Sequence, residues 1–102
     1  MTYLCFMSEK KLVKIGKTTD MKSRIRNIKT ANPLVDYVHF CELDVEKLLH
    51  KCFNDFNYAR EWFDYSEFGK QNFMKIVNKI CHIRENCETD CEAYEKILIL
   101  NE

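Results

Sequence analysis

The sequence predicts an α+β domain, a small antiparallel sheet of about three strands flanked by helices. Two short runs of strand-forming residues, Thr2–Met7 and Leu12–Ile15, are separated only by Ser8-Glu9-Lys10-Lys11, a spacing that reads as a hairpin. A third run, Tyr37–Leu43, is of the same kind. Between and after these runs, apolar residues recur at the helical period instead of alternating.

Gly16 closes the second strand, and Lys17-Thr18-Thr19-Asp20 leads into a helix with Thr19 or Asp20 as its N-cap. Met21, Ile25 and Ile28 form one apolar stripe, and Asn32-Pro33 stops the helix because the residue before a proline avoids helical geometry. Asp44 stands where it would cap an amphipathic helix carrying Val45, Leu48, Leu49, Cys52, Phe53 and Phe56. The segment around Trp62-Phe63 reads as extended or as a turn. Phe73, Ile76, Val77, Ile80 and Ile83 mark a further helix, and Cys91–Leu100 a last one with an acidic start. No repeat is present. The expectation is one domain over residues 1–102, with its core in 1–68 and a helical extension in 69–102.

At 46% hydrophobic and 13% aromatic residues, with 2 Gly and 1 Pro, the 102-residue chain has ample material for one core and no disordered tract. No apolar run exceeds a few residues, so neither a membrane helix nor a secretory segment is expected and an intracellular, non-secreted protein is. The six cysteines then read as reduced thiols, since Cys5, Cys41 and Cys52 fall inside apolar patterns where a thiol packs as a small hydrophobe. Cys81, His82, Cys87 and Cys91 invite comparison with a zinc site, but they contain no CxxC pair, and Cys87 and Cys91 fit one helix face.

Net charge is zero, yet it is unevenly spread. Residues 1–35 carry eight Lys/Arg against Glu9 and Asp20, whereas residues 36–102 carry eight against fourteen Asp/Glu. A basic first third suits a polyanion on one face. The acidic stretch Glu85–Glu95 solvates a helix or meets a basic partner, leaving a homo-oligomer or a protein partner open.

Polar residues of the basic third, with two from the remainder, complete a chemical set. Tyr3 and Lys14 lie on the paired strands, Gly16 allows close backbone approach, Arg24 follows on a helix, and Glu46 and His50 are one turn apart on another. A carboxylate for a hard cation, a cation for phosphorane charge and a base for water are what metal-assisted phosphodiester hydrolysis requires.

In the order of these pieces the chain resembles the GIY-YIG nuclease superfamily, in particular its small viral, phage and mobile-element branch. Met1-Thr2-Tyr3 stands at the first motif, where only the tyrosine matches, and Lys14-Ile15-Gly16 at the second. Arg24 matches the helix arginine, Glu46 to Phe53 the Glu/His/Phe helix, and Glu61-Trp62-Phe63 the tripeptide that follows it. The resemblance covers residues 1–68. It implies a DNA endonuclease in which Glu46 holds one Mg²⁺ or Mn²⁺, Arg24 meets the scissile phosphate and Tyr3 is the general base or its relay. Lys14 would be the cation that lowers the tyrosine pKa, and His50 would orient water, position Glu46 or contact phosphate. Lys17, Lys22, Arg26 and Lys29 are the expected nucleic-acid contacts, and Trp62 and Phe63 are read as packing. Its setting would be the cytoplasm or nucleus of a host cell. Hydrolysis of a small nucleotide phosphodiester, and a nucleic-acid- or protein-binding module without turnover, remain the alternatives.

Overall fold

A strand of six uncharged, mostly apolar residues is poorly suited to a wet edge, and β1 (Thr2–Met7) is accordingly central and buried along its whole length. In this computed structural model, which describes residues 1–100, β1 pairs on one side with β2 (Leu12–Lys17) and on the other with β3 (Tyr37–Cys41). Two shorter strands, β4 (Asn57–Ala59) and β5 (Trp62–Asp64), extend the β2 side, giving an antiparallel five-stranded sheet of order β3-β1-β2-β5-β4. The sheet thus has two strands more than the sequence suggested. Three residues are too few to display a strand's alternation, so β4 and β5 are recognised as strands only through their pairing.

Among the described residues four helices accompany the sheet: α1 (Met21–Ala31), α2 (Glu46–Cys52), α3 (Lys70–Glu85) and α4 (Asp90–Leu100), with one 3-10 turn at Asn54–Phe56. Asp20 caps α1 as expected, its carboxylate accepting from the Ser23 N–H at 3.1 Å. Asn32, just before Pro33, is extended and ends the helix. Asp44 does not cap α2, which has no local side-chain cap.

Residues opposite one another in a ladder share a face. Tyr3 faces Gly16 and Phe40, and Cys5 faces Lys14 and Val38, so these six lie on one face. Leu4, Phe6, Val13, Ile15 and Phe63 lie on the other. That second face carries the main core, where Leu48, Leu49 and Val45 from the α2 region, Phe73, Val77 and Ile80 from α3, and Ala93 and Ile97 from α4 are packed. The first face is covered more thinly: Tyr3, Cys5 and Ile28 of α1 form a small separate cluster bordered by Val35, Val38 and Phe40. No helix among the described residues is long and apolar enough to cross a membrane.

All six cysteines are free. Burial pushes the Cys5 and Cys52 thiols up to about 11 and the Cys81 thiol to about 12, the last helped by Cys41, whose sulfur lies 3.5 Å away. A thiol with a pKa near 11 is roughly one part in a thousand thiolate at pH 8. Native alkylation at pH 8 followed by peptide mass analysis is therefore expected to label exposed Cys91 first and to leave Cys5, Cys52 and Cys81 unmodified until the chain is unfolded. Labelling of Cys5 at the rate of Cys91 would contradict this packing.

Candidate active site

The first face of the sheet has one unusual contact. Tyr3 and Gly16 are directly opposite, and the phenol ring lies across the glycine's α-carbon. A β-carbon placed on Gly16 would meet the ring's Cζ and hydroxyl oxygen at 2.5 Å and its Cε1 at 2.9 Å, distances real side chains do not adopt. Glycine is required here for space. The Tyr3 side chain is almost wholly hidden, at 3% exposure. Its hydroxyl has no partner among the described residues, yet no fully buried polar side-chain atom there lacks one, so the oxygen keeps some access to solvent.

The turn into α1 brings Arg24 to this ring. Thr18 N–H donates to the Met1 carbonyl at 2.9 Å, and the Asp20 N–H donates to the Thr18 hydroxyl at 3.1 Å, fixing the path from β2 to the helix cap. The half-buried Arg24 then places its guanidinium carbon 5.7 Å from the centre of the Tyr3 ring, a cation–π distance, with no carboxylate within 4.0 Å among the described residues.

Burial raises the Tyr3 pKa above its ordinary value of 10. Arg24 opposes the shift, while Cys5, Glu61 and Glu46 add to it. The cation that matters to the phenol is therefore Arg24, which corrects the role expected of Lys14. Lys14 does share the face of Tyr3, but register sets it opposite Cys5, whose thiol it moderates, and its ammonium lies 3.8 Å from the Glu61 carboxylate. That pair is solvent-exposed and weak. The fold favours the neutral phenol, so Tyr3 contributes stability that is complete below pH 10 and is lost as pH rises through its higher folded value.

Glu46 opens α2, and its side chain is only 15% exposed. His50, one turn later, puts Nε2 2.8 Å from the Ile15 carbonyl oxygen and 3.8 Å from a Glu46 oxygen. The shorter contact decides the geometry: a carbonyl only accepts, so Nε2 carries a proton and is committed to β2. The imidazole edge also packs on Phe63, 4.9 Å between ring centres. His50 thus ties α2 to the strand that carries Gly16.

The structure brings Tyr3, Gly16, Lys14 and Arg24 together on one face, and Glu46 is near enough for its charge to act on the phenol. Lys17, Lys22, Arg26 and Lys29 are exposed, the last three on α1 at spacings of four and three. Two residues of the site escape a reading by pattern. Glu61, grouped with packing residues in the sequence, acts on both Lys14 and Tyr3, and its carbonyl accepts from the Ile15 N–H at 3.0 Å. Thr2 is buried with its hydroxyl fully engaged. A lone hydroxyl in an apolar strand was the available signal for Thr2, and a single carboxylate ahead of Trp62-Phe63 for Glu61.

These features define a small α+β domain with a tyrosine and an arginine together on one face of an antiparallel sheet and two carboxylates, Glu61 and Glu46, close enough for their charge to act on the phenol. The chain belongs to the T5orf172 domain family, which matches residues 2–93; this is a phage-derived domain associated with nuclease-type domains. No curated protein and no solved structure matches it.

Replacing Gly16 tests the close contact directly. Gly16→Ala is expected to displace the Tyr3 ring and to cost about 1–3 kcal/mol, as overpacking a tight site does. Urea unfolding gives the energy, and the ring signals of labelled tyrosine report the displacement. An unchanged Tyr3 signal in a fully stable variant would show that the ring does not lie on the glycine.

Proposed function

We propose that this protein is a metal-dependent phosphodiesterase of the GIY-YIG type that cleaves DNA by in-line attack of water. The observation that carries the reading is the gathering of Tyr3 and Arg24 over Gly16 within electrostatic reach of Glu46. Family membership supports a nuclease-like or DNA-binding role.

Glu46 is the residue that would hold Mg²⁺ or Mn²⁺. The fit rests on the donor: a recessed but accessible carboxylate beside an open face. Hard cations of this kind are commonly bound by one or two carboxylates, with water and substrate oxygens as the other ligands. When bound, the ion would supply Lewis-acid stabilisation of charge on phosphate oxygen.

The chain's own residues supply the rest. Arg24 has no carboxylate within 4.0 Å among the described residues and offers its guanidinium to the phosphate as negative charge develops. Lys14 adds a second positive charge on the same face. Tyr3 accepts the proton of the attacking water. With a pKa above 10 it is overwhelmingly neutral at pH 7, so only the small phenolate fraction is active and the rate follows that fraction. His50, committed to the Ile15 carbonyl, anchors α2 and, of the roles that the sequence leaves open to it, takes that of a positioning group.

The exposed Lys17, Lys22, Arg26 and Lys29 favour a polymer over a small nucleotide, which would leave these charges unused. The free thiols suit a reducing compartment inside a cell.

Cleavage of plasmid DNA with Mg²⁺ or Mn²⁺ tests the reading. Glu46→Gln should abolish cleavage while leaving the fold intact. Arg24→Ala should lose about 10²-fold or more in turnover, as removal of a charge-stabilising donor does. Lys22→Ala or Lys29→Ala should mainly weaken binding and flatten its salt dependence. Full activity in Glu46→Gln would remove the carboxylate from the mechanism, and equal effects of all three cation variants would reduce Arg24 to part of a generic basic face.

A further inference from the structure

We infer that Thr2, the neighbour of Tyr3 on β1, is a positioning residue for Glu46, fixing the start of the helix that carries the carboxylate. The inference rests on the proposed role of Glu46 as the metal-holding group.

Thr2 is the one buried polar residue among the described residues, with no exposure. Its hydroxyl donates to the Leu43 carbonyl at 2.8 Å and accepts from the Val45 N–H at 2.8 Å. Both partners belong to the segment leading into α2, and Val45 directly precedes Glu46. The hydroxyl therefore closes the start of the helix from a strand more than forty residues away.

The helix has few other means of fixing its start. It is only seven residues long, a length at which orientation is set by tertiary contacts, and it has no local side-chain cap. Val45, Leu48 and Leu49 pack into the core, while His50 fixes the helix near its far end through the Ile15 carbonyl. Thr2 fixes the near end, where Glu46 sits. Because Thr2 and Tyr3 are consecutive on β1, one stretch of backbone carries the phenol and aligns the carboxylate. Tyr3 projects to the first face, while the hydroxyl of Thr2 holds the segment that begins α2. A local cap such as Asp44 would bond amides of the first turn of α2 without tying the helix to the strand that bears Tyr3.

Thr2→Val preserves shape and removes the hydroxyl, Thr2→Ser retains it, and Thr2→Ala leaves room for water to serve the two backbone groups if the valine variant does not fold. The probe is Mn²⁺ alone, titrated by electron paramagnetic resonance without nucleic acid, beside amide exchange at Val45 and Glu46 and a kcat-against-KM comparison on DNA. Folded Thr2→Val or Thr2→Ala is expected to bind Mn²⁺ about 10–100-fold more weakly, as loss of a group that orients a metal ligand does. Exchange at both amides should accelerate, and kcat should fall with KM for DNA little changed. Thr2→Ser should lie within about twofold of the wild type, since it keeps the hydrogen-bonding oxygen. Wild-type Mn²⁺ affinity in a folded Thr2→Val or Thr2→Ala chain would overturn the inference and leave Glu46 in place. A wild-type chain that binds no Mn²⁺ would overturn the reading of Glu46, and this inference with it.

Discussion

Everything at the candidate site depends on a side chain that is absent. A phenol ring can lie on a neighbouring strand only where that strand has no β-carbon, and Gly16 gives Tyr3 that place. Once the ring is there, the tyrosine is nearly buried while its oxygen keeps some access to solvent, and its face is open to Arg24. The glycine's neighbours extend the arrangement. The Ile15 carbonyl receives His50 from α2, the Ile15 N–H is bound to Glu61, and Lys14 looks out from the same face as the phenol. One tripeptide of β2 thereby gathers contacts from α2 and β5 around a ring supplied by β1.

Electrostatics at the phenol are a contest with a clear winner. Burial disfavours phenolate, the charges of Glu46 and Glu61 disfavour it further, and Arg24 alone is the cation that opposes them. The resting site holds a neutral tyrosine beside a guanidinium with no carboxylate within 4.0 Å among the described residues. That state suits an anionic substrate, because the positive charge is already in place and needs no rearrangement when negative charge arrives. The thin packing of α1, tied to the sheet through Ile28 and a few partners, places Arg24 and the lysines of its outer face on the less heavily packed side of the domain.

Much of this was legible in the sequence, for physical reasons that also explain what was not. Thr2–Met7 and Leu12–Ile15 declared a hairpin because a polar tetrapeptide separates two strand-forming runs, and Asp20 declared a helix start because a cap acts within three residues. Tyr3 and Lys14 could be placed on paired strands because the linking turn is short, and the register then puts them on one sheet face with Gly16. Three-residue strands carry no period, so β4 gives no signal and β5 shows only as a segment that is extended or a turn. Asp44 does not cap α2; the segment that starts the helix is held instead by Thr2, too far away in sequence for a local pattern to show. The partner of Lys14 was misassigned for a related reason: it depends on β5 and on Glu61, whose place next to β2 is fixed by long-range pairing.

The proposed general base is Tyr3, held on Gly16 with its pKa raised. The most direct measurement is the single-turnover rate of DNA cleavage between pH 6.5 and 9.5, for the wild type and Tyr3→Phe at saturating Mg²⁺. The expected result is a wild-type rate rising about tenfold per pH unit with no plateau in this range, because a phenol above its ordinary pKa of about 10 remains mostly protonated throughout. Tyr3→Phe should be slower by about 10²-fold or more at high pH, the size of a general-base contribution, and should lack that rise. A wild-type plateau near pH 7, or a Tyr3→Phe profile parallel to the wild type and within tenfold of it, would contradict the assignment.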